Sequence, residues 1–547
     1  MIKVWKFMSL DIERLDHLGI VAGIIKDLDI VNMVNDKLGT NSQEEISSGE
    51  AVAAMILNGL GFTSKPLSLT PKFFQHKPLE LLFRKGVKAE HFNRSKLGRV
   101  LDEIFNYGCS NLFYEISSAC CIKENIDLSF NSLDTTTLSL YGEYDSLCDE
   151  QAIKIKHGYS KDYRDDLKQV VHELLVSQDG GIPLFMQSWD GNASDSTIFK
   201  ERCSELIKLF EKSEPPRYLI ADSKLYNEKN SENLSKLNYI TRIPRANKEE
   251  KETTIKAFKL NDWLVLDNSN KYKSFAINHN SIPQRWIVIN SDAARNRAEK
   301  TVGSFVEAEN KLIKDFNKQS KKNYLSCKID AENKAKAFCT KLKYHLYCIN
   351  ICEIEIRNNE SVETKYYLSI DYRKNIGVIN TNIDLKSCYT LGTNIDKSNL
   401  SDEEIIKAYK RQNSSIENMG FRFLKDPIFF TSSLFLKKNS RIEGLLTIMT
   451  LSLLIYSIAQ RRARNILEAS DDTVPNQINK PIKKPTARWL FQLMDGINAV
   501  KIEIGNSIYN VIQGLTDLKK KIAGLFGENV SKIYHAYASE IKLLHDG

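Results

Sequence analysis

The chain has 547 residues, which is too long for one ordinary domain and predicts three or four units of about 100 to 200 residues. Its 42% hydrophobic and 27% charged residues are typical of a folded globular protein and exclude a disordered or low-complexity chain. The net charge of +8 is compatible with a polyanionic partner such as nucleic acid, but a charge of this size does not identify one.

Residues 1–125 are predicted to be helical. Ser47 and Glu50 form a capping-box pattern before an apolar stretch, and residues 93–121 show helical periodicity with basic residues at their start. Two interpretations stay open for this region, a DNA-binding module and a plain helical bundle, because no clear helix-turn-helix signature is present. Acidic residues interrupt the N-terminus, so no export signal is predicted.

Residues 126–248 alternate between strand and helix patterns. A strand is predicted around Asp134, and the turn residues 179–181, Asp-Gly-Gly, predict a hairpin. An amphipathic helix capped by Asp195 or Ser196 follows, and then two short apolar strands. This order predicts an RNase H-like core, in which the first strand and a later, adjacent strand each present an acidic residue.

The rest of the chain is divided into three predicted regions. Residues 249–395 are expected to form a β-rich insertion domain with a Lys-rich helix, and residues 396–470 to complete the catalytic core. Residues 471–547 are expected to be helical and to serve dimerisation or DNA contact. The most apolar run, residues 445–459, is shorter than the roughly 20 residues that span a bilayer, so we expect a buried helix and no membrane partner. The predicted fold class is therefore α+β or α/β.

Three acidic residues are the candidate catalytic and metal-binding residues. Asp134 lies in a run of alternating Leu and Thr, Asp222 ends an apolar strand, and Glu417 lies in a polar helical segment. Carboxylates from two strands and a helix supply the hard oxygen ligands that suit Mg²⁺. The alternatives are a surface residue for Asp134, a turn residue for Asp222 and a capping-box partner of Ser414 for Glu417.

The stretches "LDTTTLSLYG", "LIADSKLY", "RWIVINSDAARNRAEKT" and "YKRQNSSIENMGFRFLKDP" resemble the DDE transposases of bacterial insertion sequences. The resemblance covers about residues 133–457 and is to the IS four-like superfamily, whose signature is Y-x2-R-x3-E-x6-K. It implies an RNase H-like core interrupted between the second and third acidic residues. It also implies two Mg²⁺ ions, for which Mn²⁺ can substitute, held by Asp134, Asp222 and Glu417, and cut-and-paste transfer, commonly through a DNA hairpin.

The chain departs from this signature around the third acidic residue. Tyr409 is followed at the expected interval by Gln412, where the signature has Arg, and the gaps from Gln412 to Glu417 and from Glu417 to Lys425 are each one residue longer. In an α-helix each extra residue adds a rotation of about 100°. We therefore expect a break in the helix, with Ser414 capping the part that carries Glu417.

The partners implied by the resemblance are double-stranded DNA with terminal inverted repeats and target DNA, bound by a homodimer in a synaptic complex in the bacterial cytoplasm, close to the nucleoid. The candidate DNA-binding residues are Tyr409, Gln412, Arg422, Lys425, Lys224, Arg242, Arg245 and Trp286. Trp286, with Trp263, is considered for stacking on an unpaired base, against the alternative of a core position. Two other functions stay open: a metal-dependent nuclease that does not join strands, and a DNA-binding protein that has lost catalysis.

Overall fold

A computed structural model describes residues 8–62, 65–144, 151–210, 217–223, 226, 235–279, 282–358, 361–427, 436–504 and 507–537. The chain forms two compact units. The first combines Met1–Asp222, Lys236–Asn238 and Lys407–Gly547, and the second combines Ser223–Ser235 and Tyr239–Ile406. Both units mix helices and strands, as the α+β or α/β prediction requires. The five predicted domain boundaries stay a prediction.

The first unit begins with a strand and a set of helices. These are β1 (Met8–Arg14), α1 (Leu18–Asp27), α2 (Ile30–Leu38), α3 (Ser48–Leu60), α4 (Thr70–Phe74), α5 (Leu79–Leu82), α6 (Arg94–Tyr107) and α7 (Cys109–Lys123), with short 3₁₀ turns at Leu67–Leu69 and Ala89–Phe92. The predicted capping box of α3 is confirmed, because Ser47 Oγ accepts a hydrogen bond from the Glu50 amide at 3.1 Å and the Glu50 carboxylate accepts one from the Ser47 amide at 2.8 Å.

The strands of the first unit that follow are β2 (Phe130–Leu140), β3 (Lys168–Ser177), β4 (Pro183–Trp189) and β5 (Tyr218–Ala221), with helix α8 (Asp195–Phe210) between β4 and β5. Their order is β4-β3-β2-β5. The pairs β2–β3 and β3–β4 are antiparallel, whereas β5 runs parallel to β2. The predicted hairpin is confirmed: it joins β3 to β4, and Gly180 and Gly181 both have positive φ angles, which glycine adopts at no steric cost.

Within the described residues, the second unit contains seven strands and four helices, which lie wholly within it apart from the first residue of β6. They are β6 (Asn238–Arg242), α9 (Lys248–Leu260), β7 (Leu264–Asp267), β8 (Asn270–His279), β9 (Ile282–Ser291), α10 (Asp292–Ser320), α11 (Lys328–Cys339), β10 (His345–Asn358), β11 (Ser361–Lys374), α12 (Ile376–Ser387) and β12 (Cys388–Thr393). Five strands are ordered β6-β12-β9-β8-β7, and β10 and β11 form a separate antiparallel hairpin.

The chain returns to the first unit through a nearly continuous helical segment. Helix α13 (Asp402–Gln412) passes directly into a π-helix (Asn413–Phe421), which passes into α14 (Arg422–Lys425). Helix α15 (Asn439–Ala469) follows. The remaining elements are β13 (Val474–Pro475), β14 (Pro481–Ile482), α16 (Ala487–Leu493), β15 (Asn498–Ile504), β16 (Ser507–Gln513), α17 (Asp517–Gly524) and α18 (Glu528–Tyr534).

The C-terminal region, expected to be helical, contains strands as well as helices. Strands β15 and β16 pair with each other, and β15 also pairs antiparallel with β1, which gives a three-stranded sheet ordered β1-β15-β16. Helix α18 packs on α1, where Tyr534 donates a hydrogen bond to the Asp16 carbonyl at 2.5 Å. Elements from the N-terminal and C-terminal parts of the described chain therefore share one core, and this long-range pairing leaves no local signal in the sequence.

Helix α15 is the central helix of the first unit. It is long and apolar enough to cross a membrane, but 89% of its most apolar window is buried within the protein. It packs against α3, α6, α7 and β4. A Cβ atom at Gly444 would lie 2.9 Å from the Leu101 carbonyl oxygen, so glycine allows α6 to approach this closely. The expectation of a buried helix is confirmed.

Candidate active site

Asp134 and Asp222 lie on neighbouring strands of the first unit. Asp134 is in β2, and Asp222 is the residue directly after β5. Strands β2 and β5 are parallel, with Leu133 opposite Ala221, so the next residue on each strand is an aspartate at the same level. Adjacent strands lie about 4.8 Å apart. The strand register thus brings together two acidic residues that are 88 positions apart in the sequence.

Glu417 is held by the π-helix, which packs against β2 and β3. Its contact face is formed by Ser415, Ile416, Gly420 and Phe421, which are buried, whereas Glu417 is exposed. A Cβ atom at Gly420 would lie 3.4 Å from the Leu174 side chain of β3, in ordinary van der Waals contact. The segment therefore carries Glu417 on the side of the helix that does not pack into the core.

The expected break at residues 413–415 is not found. The helix continues as a π-helix, whose i→i+5 hydrogen bonds place one more residue in each turn than an α-helix has. Ser414 does not cap a helix: its hydroxyl donates to the Arg411 carbonyl at 2.8 Å, and Ser415 donates to the carbonyls of Arg411 and Gln412. The wider turns thus absorb the extra residues on both sides of Glu417 without a break.

The three carboxylates lie within one electrostatic environment. The pKa of Asp134 is raised to about 6, chiefly by burial of its side chain and also by the negative charges of Glu417 and Asp222. The cation of Lys161 and the Thr135 amide, which donates to Asp134 Oδ1 at 2.7 Å, lower this pKa. Asp134 is therefore influenced by both of the other predicted ligands.

The donor chemistry of the three carboxylates fits a hard divalent cation, and a cation would relieve the repulsion that raises the pKa of Asp134. Among the residues that the structure describes, no three His, Cys, Asp or Glu side chains form a group that could hold a metal ion. The charges of Glu417 and Asp222 thus affect Asp134, but the three side chains do not form a set of metal ligands in this structure. Their convergence to metal-bridging distance stays a prediction.

Lys161 is a site residue to which the sequence analysis gave no role. Its ammonium group lies 3.6 Å from Asp134 Oδ1 and 3.9 Å from Asp195 Oδ2. It also donates to the hydroxyl of Thr135 at 2.8 Å, and that hydroxyl in turn donates to Asp195 Oδ1 at 2.6 Å. A cation and a fourth carboxylate therefore adjoin Asp134.

Asp195 was predicted as a possible helix cap, and that prediction is wrong. Ser194 has the capping role, because its hydroxyl accepts from the Thr197 amide at 3.3 Å, while Asp195 lies in the first turn of α8. The strand order is compatible with its position, because the chain between β4 and β5 must cross back over β3 and β2, and Thr135 of β2 donates to Asp195.

Four of the candidate DNA-binding residues belong to the segment around Glu417. Arg422 is exposed and Tyr409 is half-buried. Gln412 is only 6% exposed, so the structure does not present it to a DNA strand, because its turn packs into the unit. Lys425 forms an ion pair with Asp162 at 2.7 Å. The roles of Arg422, Tyr409 and Lys425 as DNA contacts stay predictions.

The other four candidates differ in what the structure shows. Lys224 lies outside the described residues. In the second unit, the guanidinium group of Arg242 lies over the Tyr389 ring, and Arg245 donates to the carbonyls of Lys386 and Cys388 at 3.4 and 3.3 Å.

Trp286 is fully buried in that unit. Its ring packs with Tyr226 and Ile243, and its indole N–H donates to Gln284 at 2.8 Å. The prediction that Trp286 stacks on a base is therefore wrong for this structure, and the alternative of a core position is the one observed. On a central strand such as β9, burial of the large apolar ring is favourable, and one hydrogen bond satisfies its polar N–H group.

Comparisons with known proteins match the chain to a family model and to solved structures. Residues 10–118 match a family described as a domain of unknown function, DUF4277. The fold resembles a solved structure described as the cryo-EM structure of a piggyBac transposase synaptic complex with hairpin DNA, at 9% sequence identity and a TM-score of 0.34 over 89% of this chain and 82% of that chain. Among curated proteins, no sequence matches the chain.

Proposed function

We propose that this protein is a DDE transposase that cuts and joins DNA by metal-dependent phosphoryl transfer. The observation that carries the proposal is the electrostatic environment of Asp134, whose pKa is raised by both Glu417 and Asp222. These residues are separated by 88 and 195 positions in the sequence. Like charges held near the buried carboxyl of Asp134 reduce stability, and such arrangements are typical of functional sites.

The strand order of the first unit supports an RNase H-like core. Strands β2, β3 and β4 form an antiparallel meander, and β5 adds to the other side of β2 in the parallel direction after helix α8. In the proposed core, β2 is the first strand and β5 the later adjacent strand, and each presents one acidic residue. Asp134 and Asp222 occupy these two positions.

The π-helix explains how the Glu417 segment can match the Y-x2-R-x3-E-x6-K signature although it has one extra residue on each side of Glu417. One added residue on each side of Glu417 would rotate Gln412 and Lys425 away from its face in an α-helix. The π-helical turns remove most of this rotation, since each turn takes up an additional residue. Despite the two added residues, Gln412, Glu417 and Lys425 can therefore lie on the same side of the helix, as the signature requires. Turns of π-helix are frequent at functional sites.

Asp134, Asp222 and Glu417 would hold Mg²⁺, which when bound supplies charge stabilisation and an activated oxygen nucleophile for displacement at phosphorus. The chain itself supplies the positioning. The paired strands fix the two aspartates side by side, and the packing of the π-helix on β3 fixes Glu417. Lys161 keeps the buried carboxyl of Asp134 ionised, because its positive charge lowers the pKa of that group.

The proposed substrate is double-stranded DNA with terminal inverted repeats, which is cut, commonly through a hairpin, and joined to a target by a homodimer. The net charge of +8 and the exposed Arg422 beside Glu417 support a polyanionic partner. Binding that depends on Lys and Arg falls steeply with salt, because the cations release condensed counterions from the phosphates. Affinity that does not change between low and physiological salt would contradict the DNA substrate.

The test combines end binding with Mg²⁺-dependent nicking and joining for Asp134→Asn, Asp222→Asn and Glu417→Gln. Each variant is expected to bind the ends at least as well as the wild type, since it removes a negative charge, and to lose cleavage by several orders of magnitude. Asp517→Asn, a change at an exposed carboxylate of α17, is the matched control and should cleave normally. Normal cleavage by Asp134→Asn would overturn the proposal, and joining of precleaved ends separates a transposase from a nuclease.

A further inference from the structure

Two tyrosines close to the site are the most exposed large apolar side chains among the described residues. Tyr159 is 80% exposed and Tyr163 is 88% exposed, and both lie in the loop that precedes β3. Rings of this size usually bury most of their surface, because each removes a large apolar area from water on packing. Two such rings left in solvent four residues apart therefore need an explanation.

The backbone of this loop is fixed by hydrogen bonds on both sides of the rings. The Gln169 side chain donates to the Tyr159 carbonyl at 3.2 Å, and the Tyr163 amide donates to the Ser160 carbonyl at 3.3 Å. The Ser160 hydroxyl is buried and accepts from the Arg164 amide at 3.1 Å. The rings thus extend into solvent from an anchored backbone, so a ligand would have to order only their side chains and not the loop.

The same loop is connected to the proposed catalytic groups. Lys161, which lies between the two tyrosines in sequence, approaches Asp134 at 3.6 Å. The next residue, Asp162, pairs with Lys425 of the Glu417 segment at 2.7 Å. The loop that carries the two rings therefore also contributes side chains to the carboxylate site.

The charge around the rings favours an anionic ligand. Lys154, Lys156 and His157 are exposed just before Tyr159. Two of the nearby acidic residues are already neutralised, since Asp162 pairs with Lys425 and Asp166 pairs with Arg164 at 2.7 Å; Asp165 is exposed. Aromatic rings interleaved with basic side chains are the features that bind single-stranded nucleic acid, in which every base offers a face for stacking.

We propose that Tyr159 and Tyr163 form a stacking platform for unpaired DNA bases next to the carboxylates. This inference rests on the proposed function and adds to it a binding site for the single-stranded part of the substrate. The phosphates would be contacted by the basic residues that precede Tyr159, and the bases would stack on the exposed faces of the rings. Duplex DNA, whose bases are already stacked on one another, would gain little from the platform.

The test measures equilibrium binding of the full chain, in EDTA to prevent cleavage, to a short duplex and to the same duplex with a single-stranded thymidine overhang. Tyr159→Ala/Tyr163→Ala is compared with Tyr159→Phe/Tyr163→Phe, which keeps the rings. Tyr347→Ala, at a 45% exposed tyrosine of the β10–β11 hairpin, is the matched control. A 2-aminopurine base in the overhang reports stacking through quenching of its fluorescence.

The Ala double variant is expected to lose affinity for the overhang by about 5-fold to 150-fold per stacked base, to bind the duplex normally and to lose the quenching. The Phe double variant and Tyr347→Ala should behave as the wild type. Unchanged overhang binding by the Ala variant, equal losses for overhang and duplex, or loss of a dimer without a change in DNA binding would overturn the inference and leave the proposed function intact. If the wild type binds neither DNA, both are overturned.

Discussion

The ammonium group of Lys161 lies 3.6 Å from Asp134 Oδ1, and this contact lowers the pKa of a carboxyl that burial and two other carboxylates raise to about 6. A buried carboxylate next to two like charges would otherwise retain its proton to a higher pH. Lys161 therefore favours the ionised form of Asp134, which the proposed role as a metal ligand requires, near neutral pH.

Replacing Lys161 with Ala should move the acidic side of the pH–activity profile to higher pH. Without the cation, the pKa of Asp134 rises further, so a higher pH is needed to ionise it. Nicking of an end substrate in Mg²⁺, measured from pH 5 to pH 9, checks this, and Lys161→Arg should keep a profile close to that of the wild type. A Lys161→Ala profile that keeps its position while its height falls would mean that Lys161 acts on DNA and not on Asp134.

Deleting Ser414 should be tolerated, although it lies three residues before Glu417. The deletion shortens a π-helical turn to an α-helical one, so the flanking residues keep their faces. Deleting Lys410 from the regular α-helix is the control and should abolish cleavage, because it rotates the preceding turns by about 100° relative to Glu417. Both variants are compared by thermal unfolding and by nicking. Equal loss of cleavage in the two would contradict a spacing role for the π-helix.

The sequence was informative where the signal is local. The alternating residues around Asp134, the Asp-Gly-Gly turn at 179–181 and the periodicity of residues 195–210 each predicted the element that is observed. Local patterns also predicted that the apolar run within α15 is buried. These elements are determined by side-chain periodicity and turn chemistry, which a single sequence displays.

What the sequence did not reveal depends on distant parts of the chain. The pairing of β1 with β15 joins residues almost 500 positions apart, and no local pattern encodes that contact. The position of Lys161 beside Asp134 and Asp195 depends on how the loop before β3 folds back over β2. The π-helix was missed because the expected rotation assumed α-helical geometry, and the burial of Trp286 follows from tertiary packing.

The buried ion pair between Glu173 and Arg202 should be required for the stability of the first unit. Arg202 of α8 donates to Glu173 of β3 at 2.7 Å, with both side chains almost fully buried, and its guanidinium group lies 3.9 Å from the Phe185 ring centroid. Arg202→Ala would leave a buried carboxylate without its counter-ion and should reduce the free energy of unfolding by about 3–5 kcal/mol.

The double variant Arg202→Ala/Glu173→Ala should lose clearly less than the sum of the two single variants, since no unpaired charge remains. Urea unfolding of the four proteins, followed by circular dichroism, gives the coupling free energy. Additive losses would mean that the pair contributes only through its packing.

Glu443 of α15 should make the protein less stable as the pH rises. The pKa of this carboxyl is raised to about 7, chiefly by burial and also by the charge of Asp190, although a hydrogen bond from the Ile153 amide lowers it. The pKa in the folded state lies above the unfolded value, so the folded protein binds more protons between about pH 4.5 and pH 7, and stability falls as the pH rises through this range.

Glu443→Gln removes the cost of ionising a buried carboxyl and should raise the free energy of unfolding at pH 8 by up to about 3 kcal/mol, with a much smaller effect at pH 5. Glu468→Gln, at an exposed carboxylate of the same helix, should change stability little at either pH. Urea unfolding of the three proteins at pH 5 and pH 8 provides the measurement, and a Glu443→Gln effect of the same size at both pH values would show that the side chain contributes through packing and not through its charge.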